Sequence, residues 1–323
     1  LKANKIDFHH GQGTLHADRR VSVRGDSHVE LDADHVILAS GSQPAELPSL
    51  PFDHDTIVDS TGALDFAEIP ARLGIIGAGV IGLELGSVWR RLGSDVVILE
   101  AMDAFLPTAD EHVSREAARQ FKRQGLDIRL GAMVNGASAA DGACTVEYQQ
   151  NGETRQLEVD KLIVAIGRRP CSDGLFDEGL GISLDSRGYI EIDEKNRTGM
   201  PGVYAIGDAV IGPMLAHKAS EEGVAVAERI AGKQAHVDFN TVPWVIYTHP
   251  EIAWVGQTER ELKQQGVAVR SGQFAFAATG RAKAMNQTAG FVKIVAHAET
   301  DRILGVHMIG PCASELIAEA VLA

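Results

Sequence analysis

Short apolar runs that close on small residues recur along the 323-residue chain, near positions 36, 73, 162 and 203. Runs of this length, bounded by glycine, predict strands buried on both faces. Val36–Leu38 leads into Ala39-Ser40-Gly41, Leu73–Ile76 into Gly77, Leu162–Ile166 into Gly167, and Val203–Ile206 into Gly207-Asp208. Between these runs the period changes. Val80–Leu92 places apolar and small residues at helical spacing. Val113, Ala117 and Phe121 lie four apart, with Arg115, Arg119 and Lys122 on the opposite face, so this segment also predicts a helix. Val96–Leu99 predicts a buried strand after the first helix, and residues 215–231 a further helix. Shorter strands are expected at Lys5–His9, Val21–Arg24, His28–Leu31, Ile128–Leu130, Thr145–Gln149 and Leu157–Val159. After Phe239, alternation at Ser271–Ala277, Phe291–Ala296 and Ile303–Ile309 predicts an antiparallel sheet, with helices at Glu259–Gln265 and from Ser314 onward.

A chain of 323 residues exceeds one ordinary core, so two or three domains are expected. With 45% hydrophobic and 23% charged residues the composition is that of a soluble globular protein. Its apolar runs fall short of the roughly 20 residues that a membrane helix needs. A net charge of -14 argues against nucleic acid and anionic membranes as partners. Cys144, Cys171 and Cys312 have neither CxxC nor CxxxxC spacing, so they specify neither a zinc site nor a local redox pair. They read as reduced, buried thiols of a cytoplasmic protein. The chain opens at Leu1 without a signal peptide, and the helix from Ser314 meets no stop residue. Both ends therefore read as truncations.

The motif that carries most chemistry is Gly77-Ala-Gly79-Val-Ile-Gly82, set between a strand and a helix. Gly77 permits the tight turn, Gly79 lets a pyrophosphate approach the backbone, and Gly82 lets the helix pack on the sheet. The helix N-terminus offers free N–H groups and a partial positive charge to a diphosphate. Glu100 ends the next strand, where a carboxylate accepts hydrogen bonds from ribose hydroxyls and repels the extra phosphate of NADP. No arginine follows among Ala101, Met102 and Asp103, so the site reads as one for NAD. The competing reading is a glycine-rich turn used only for packing. Asp208, after a strand and a glycine, suits a ribitol hydroxyl of a flavin dinucleotide, and equally suits a helix N-cap. Pro213-Met214-Leu215-Ala216-His217 opens the following helix, whose N-terminus would favour negative charge on a reduced flavin; an ordinary amphipathic helix start reads the same way.

In this order the segments resemble the pyridine nucleotide–disulfide oxidoreductase family, over essentially the whole chain. They are Ala39-Ser-Gly41, Gly77-x-Gly-x-x-Gly82, Ala165-Ile-Gly-Arg-Arg-Pro170, Tyr204-Ala-Ile-Gly-Asp208, Leu215-Ala-His-Lys-Ala-Ser-Glu-Glu-Gly223 and Tyr247-Thr-His-Pro-Glu-Ile-Ala-Trp-Val-Gly256. Gly82-Leu-Glu-Leu-Gly86 and Pro213–Ala219 favour the branch that reoxidises dihydrolipoyl groups of 2-oxo acid dehydrogenase complexes. A soluble transhydrogenase, a mercuric reductase or a non-catalytic NAD-binding fragment are the alternatives. The resemblance implies an α/β fold, with Rossmann-like FAD- and NAD(P)-binding domains and a C-terminal α+β dimerisation domain. It divides the chain into a partial FAD-binding domain at 1–67, an NAD-binding domain at 68–197, a returning FAD segment at 198–236 and a dimerisation domain at 237–323. It implies FAD and NAD as cofactors, a homodimer, and the lipoyl domains of those complexes as partners. It assigns Gly77, Gly79, Val80, Gly82, Glu84, Glu100 and Gly167 to NAD. To FAD it assigns Ser40, Gly41, Asp208, Met214, Leu215, Ala216 and His217. The family's first GxGxxG, its CxxxxC disulfide and the lysine beside the flavin do not occur in these residues; Glu84 resembles that lysine's carboxylate partner. The family's His-x-His-Pro acid–base motif is expected beyond Ala323. His249-Pro250-Glu251 matches the opening strand of the last domain instead, so the chain alone is expected to be inactive.

Overall fold

Leu73-Gly-Ile-Ile76 is buried throughout and extends, and the helix after it starts where Gly79 leaves an extended backbone. The structure is a computed structural model that describes residues 1–25, 28–140 and 142–323. In chain order, the elements that carry the site are β1 (Val36–Leu38), β2 (Arg72–Ile76), α1 (Val80–Leu92), β3 (Asp95–Leu99), α2 (Glu111–Arg123), β4 (Lys161–Val164), β5 (Val203–Ala205), α3 (Ala216–Ile230), β6 (Phe291–His297) and β7 (Ile303–Gly310).

The chain divides into two units, one of residues 1–43 and 168–239, the other of residues 44–167 and 240–323. The second unit contains a five-stranded parallel sheet in the order Ile57–Val58, β4, β2, β3, Asp127–Arg129. Helix α1 buries Leu83, Leu85 and Trp89 and stops at Gly93, whose left-handed φ of 119° lets its N–H reach the carbonyls of Trp89 and Arg90. Helix α2 buries Val113, Ala117 and Phe121, the expected stripe. The same unit holds a three-stranded antiparallel sheet (Met133–Ala140, Ala143–Gln150, Glu153–Val159). It also holds a five-stranded antiparallel sheet in the order Trp244–Ile246, Glu251–Gly256, β7, β6, Val269–Ala275. The first unit pairs β1 with β5 in parallel and adds a small antiparallel sheet (Gly11–Leu15, Arg20–Gly25, His28–Asp32). Leu15, Leu38, Val203, Ala205 and Val210 share its core. No helix among the described residues is long and apolar enough to cross a membrane.

Two expectations need correction, and one strand was not anticipated. Lys5–His9 is not a strand: its alternation leaves Ile6 and Phe8 exposed, and the chain pairs from Gly11 to Leu15 instead, where Leu15 is buried. Met133–Ala140 is a strand that its small residues conceal, held by its ladder to Ala143–Gln150, with a register shift between Val134 and Gly136. Of the cysteines only Cys144 is buried, its thiol pushed up to about 11 by burial and then by Asp53; Cys171 is half-buried and Cys312 exposed.

A buried polar cluster joins α2 to the C-terminal sheet within the second unit. Asp110 caps α2 by accepting from the His112 N–H and also receives the Lys293 ammonium at 2.8 Å. Lys293 donates to Glu259 as well, at 2.8 Å. Beside Lys293 on the neighbouring strand, His307 is fully buried; its Nε2 lies 3.1 Å from the Gln257 carbonyl and its Nδ1 has no partner. Burial lowers the His307 pKa, against the opposite pull of Asp110 and Glu261 and with the help of Lys293. The unfolded chain therefore takes up a proton near its ordinary value of about 6.5 while the folded one does not, and stability falls as pH drops through that value. His307→Gln should flatten the stability profile between about pH 7 and pH 5. Chemical denaturation across that range is the measurement, and identical slopes in both proteins would refute the assignment.

Candidate functional site

In parallel sheets the usable crevice lies at the carboxyl ends of the strands, where neighbouring connections diverge. Strand β2 has β4 on one side and β3 on the other, so such a point lies at Gly77. The Gly77 N–H donates to the Leu99 carbonyl at 2.8 Å, and the Ala165 N–H to the Ile76 carbonyl at 2.8 Å, which pins the turn to both neighbours. Gly77 has φ 102°, and a Cβ there would lie 2.4 Å from the Ala165 carbonyl oxygen. A Cβ on Gly82 would lie 2.0 Å from the Gly77 carbonyl oxygen, so α1 packs against the turn with no room for a side chain. Gly79 differs: it is exposed, and a Cβ there would meet nothing within 4 Å. Two glycines are thus demanded by the protein and one faces an open cradle, the division expected when a phosphate group approaches the backbone. Helix α1 has no side-chain cap at Gly79, so its first N–H groups remain available to an anion.

Glu100 follows β3 and is fixed by two backbone donors. Its Oε2 accepts from the Ala78 N–H at 2.7 Å and its Oε1 from the Met102 N–H at 2.9 Å. The carboxylate therefore sits against the glycine turn itself. Gly167, at φ 128° with open space where a side chain would be, follows β4 at the same end of the sheet. Val80 and Glu84 lie half-buried one turn apart on α1. The Glu84 Oε1 accepts from the Tyr247 N–H at 2.8 Å; burial raises its pKa and that bond opposes the rise.

The other unit repeats the logic with β1 and β5. Ser40-Gly41 and Gly207-Asp208 follow the ends of these two parallel strands, side by side. Gly41 has φ 74° and open space at its Cβ position. Asp208 lies in the 3-10 turn Gly207–Ala209, whereas α3 starts at Ala216 after Leu215, so Asp208 is not that helix's cap. Its Oδ2 accepts from the Ser42 hydroxyl at 2.5 Å, and the Ser42 Oγ accepts from Arg168 Nε at 2.7 Å. Arg168 also donates to the Ser42 carbonyl at 2.7 Å. Helix α3 has no side-chain cap either. Met214 and Leu215 are half-buried before its first turn, and Ala216 and His217 are exposed within it.

Ser42, Arg168, Lys218 and Glu222 hold the turn at Gly207-Asp208 and were not singled out from the sequence. Arg168 carried a signal, in the Gly-Arg-Arg-Pro run after β4; Ser42 is joined to Arg168 and Asp208 across 126 and 166 residues, whereas Lys218 and Glu222 pair one turn apart on α3. His249 and Pro250 lie in the connection between Trp244–Ile246 and Glu251–Gly256, and Glu251 opens the second of these strands. The Glu251 Oε2 accepts from the Ser314 N–H at 2.9 Å, at the start of the last helix, which is a structural task.

Residues 1–223 match the model of the pyridine nucleotide-disulphide oxidoreductase family, and residues 242–323 match that of its dimerisation domain. The chain is 52% identical over 325 residues to a dihydrolipoyl dehydrogenase of Cupriavidus necator, covering all of this chain and 69% of that protein. It is 46% identical to the mitochondrial dihydrolipoyl dehydrogenase of Caenorhabditis elegans, again over its full length and 66% of the relative. Among solved structures, the HOCl-induced flavoprotein disulfide reductase RclA from Escherichia coli superposes with a TM-score of 0.88 at 30% identity, covering 97% of this chain and 71% of that one.

Proposed function

This chain belongs to the pyridine nucleotide-disulphide oxidoreductase family, and on that premise we propose that its protein is a dihydrolipoyl dehydrogenase. The reaction converts the dithiol of a dihydrolipoyl group and NAD+ into the cyclic disulfide, NADH and a proton. One observation carries the reading: an open Gly79 between two closed glycines, in a chain 52% identical along its whole length to an enzyme of that activity. The mitochondrial relatives share the activity named and favour it over a transhydrogenase or a mercuric reductase.

The residues fit both dinucleotides. For NAD, Gly77 and Gly82 shape the turn, Gly79 and the N–H groups at the start of α1 receive the diphosphate, and Glu100 receives the ribose hydroxyls. Val80, Glu84 and Gly167 line the same end of the sheet. For FAD, Ser40 and Gly41 let the backbone approach, Asp208 receives the ribitol, and Met214 to His217 place the uncapped end of α3 toward the ring system. Bound FAD supplies the two-electron acceptor between dithiol and nicotinamide. The positive end of α3 favours negative charge on its reduced form.

Residues 242–323 match a dimerisation domain, which supports a homodimer. We assign lipoyl domains of 2-oxo acid dehydrogenase complexes as its partners and the cytoplasm as its compartment. Support comes from the dithiol chemistry for the partners and the sparse unpaired cysteines for the compartment.

The direct test is NADH formation from dihydrolipoamide and NAD+: the complete flavin-loaded protein is expected to turn over on the order of 10 per second, and residues 1–323 alone not at all. Turnover only with other disulfides would remove the assignment. Glu100 gives a sharper test of the cofactor. With its carboxylate fixed against the turn, the wild type should bind NADH over NADPH by roughly tenfold or more, ~1.4 kcal/mol. Glu100→Ala combined with Ala101→Arg should narrow or reverse that preference. Titration of both nucleotides by fluorescence decides it, and equal wild-type affinities would show that the acid has another task.

A further inference from the structure

Lys218 and Glu222 are the most deeply buried charges beside the flavin-facing loop, with side chains 0% and 1% exposed. They sit one helical turn apart on α3, 3.2 Å from each other. Neither spends its bonding on the partner alone. Lys218 Nζ donates to the Gly207 carbonyl at 2.9 Å, and the Glu222 Oε2 accepts from the Gly207 N–H at 2.7 Å. The two charges therefore hold both polar groups of one residue, the one that precedes Asp208.

Gly207 needs such a hold. Its φ of 69° is left-handed, and a Cβ there would lie 3.2 Å from the Ala219 Cβ, so the turn rests directly on α3. Lys218 reaches a second point of the loop as well. A Cβ on Gly212, at φ 134°, would lie 3.1 Å from Lys218 Cε and 3.3 Å from its Nζ. One ammonium thus lies under both the Asp208 turn and the bend that leads to Met214 and Leu215.

Stability does not explain this arrangement. Removing two charges from water costs about as much as their attraction returns, and an apolar pair of similar volume serves a core at least as well. What an apolar pair cannot do is donate to one side of Gly207 and accept from the other. We propose that Lys218 and Glu222 are positioning residues that fix the loop from Gly207 to Ala216 in its flavin-binding shape. The inference rests on the reading of that loop as part of the FAD site. Ser42 holds the Asp208 side chain, so the carboxylate is set by its own backbone and by its hydroxyl partner.

The test uses the FAD-loaded protein with Lys218→Met, with the apolar pair Lys218→Met, Glu222→Leu, and with Asp208→Ala as control. Both positioning variants are expected to release FAD at least tenfold faster than wild type. At saturating FAD, the visible circular dichroism of the bound flavin should differ from wild type while the KM for NAD+ stays the same. Wild-type release and an unchanged visible spectrum in both variants would overturn the proposal. So would a KM for NAD+ that rises in step with FAD release, since that marks general loosening. Asp208→Ala separates this failure from the other: if it too keeps FAD at the wild-type rate, the flavin assignment of the loop falls instead. Should Lys218→Met fail to fold, the double variant Lys218→Met, Glu222→Leu, which leaves no unpaired buried charge and removes both bonds to Gly207, decides alone.

Discussion

Gly79→Val is expected to leave the protein folded with its flavin bound and to weaken NAD+ about a hundredfold, ~2.8 kcal/mol. Gly82→Val is expected to weaken NAD+ as well, but only by damaging the fold. The difference lies in what surrounds each position. No atom lies within 4 Å of a Cβ at Gly79, so the valine meets nothing until a nucleotide arrives, and it then occupies the diphosphate's place. At Gly82 the added carbon would lie 2.0 Å from a backbone oxygen of Gly77, and neither group is the end of a flexible side chain. Helix α1 must move away from β2, disturbing the packing of Leu83, Leu85 and Trp89 beneath it, at a cost of about 3 kcal/mol. Thermal unfolding, flavin absorbance after desalting and NAD+ titration distinguish the two. The geometry is misread if Gly79→Val melts early, or if it sheds flavin while still binding NAD+.

The strand–glycine–helix unit was legible because three independent requirements coincide within about ten residues. A buried strand, a turn and an amphipathic helix each leave a mark, and in Leu73–Leu92 the marks agree. Asp208 was less legible, since a ligand-binding acid and a helix cap both follow a strand and a glycine. Only the position of α3, starting at Ala216, separates them. The Ser42–Arg168 contact joins residues 126 apart, so no local pattern announces it. Lys218 and Glu222 were hidden for another reason. A lysine and a glutamate four apart on a helix ordinarily form a solvated face. Here the glycines on the facing turn let the helix come close enough to bury both. Lys5–His9 fails in the opposite way: its alternation is clear, but no strand among the described residues pairs with it.

Lys293→Met should be the most destabilising of these changes to the fold, at about 3–5 kcal/mol, because it strips the cation from a buried cluster and leaves the anion behind. Lys293 and Asp110 are each 2% exposed and lie 183 residues apart in sequence, so the pair ties the cap of α2 to β6. Burial alone would lower the Lys293 pKa, yet the bonds to Asp110 and Glu259 raise it above its ordinary value. Glu259 feels the cluster most. Its bond to Lys263, then that to Lys293, and the bond from Ser271 hold its pKa at about 2 against burial. Its contribution is thus fully present above its ordinary value of about 4.5 and is lost as pH falls toward 2. In Lys293→Met part of that contribution is already gone, so the gap between the two proteins should narrow in acid. At neutral pH the melting temperature should fall by roughly 10 °C. Asp110→Asn keeps a good helix cap while removing the orphaned charge. The double variant Lys293→Met, Asp110→Asn should therefore recover at least half of the lost stability. Chemical denaturation of wild type, single and double variants measures all three. A single variant within about 1 kcal/mol of wild type, or a double variant no more stable than the single, would mean that the cluster does not hold α2 to the sheet.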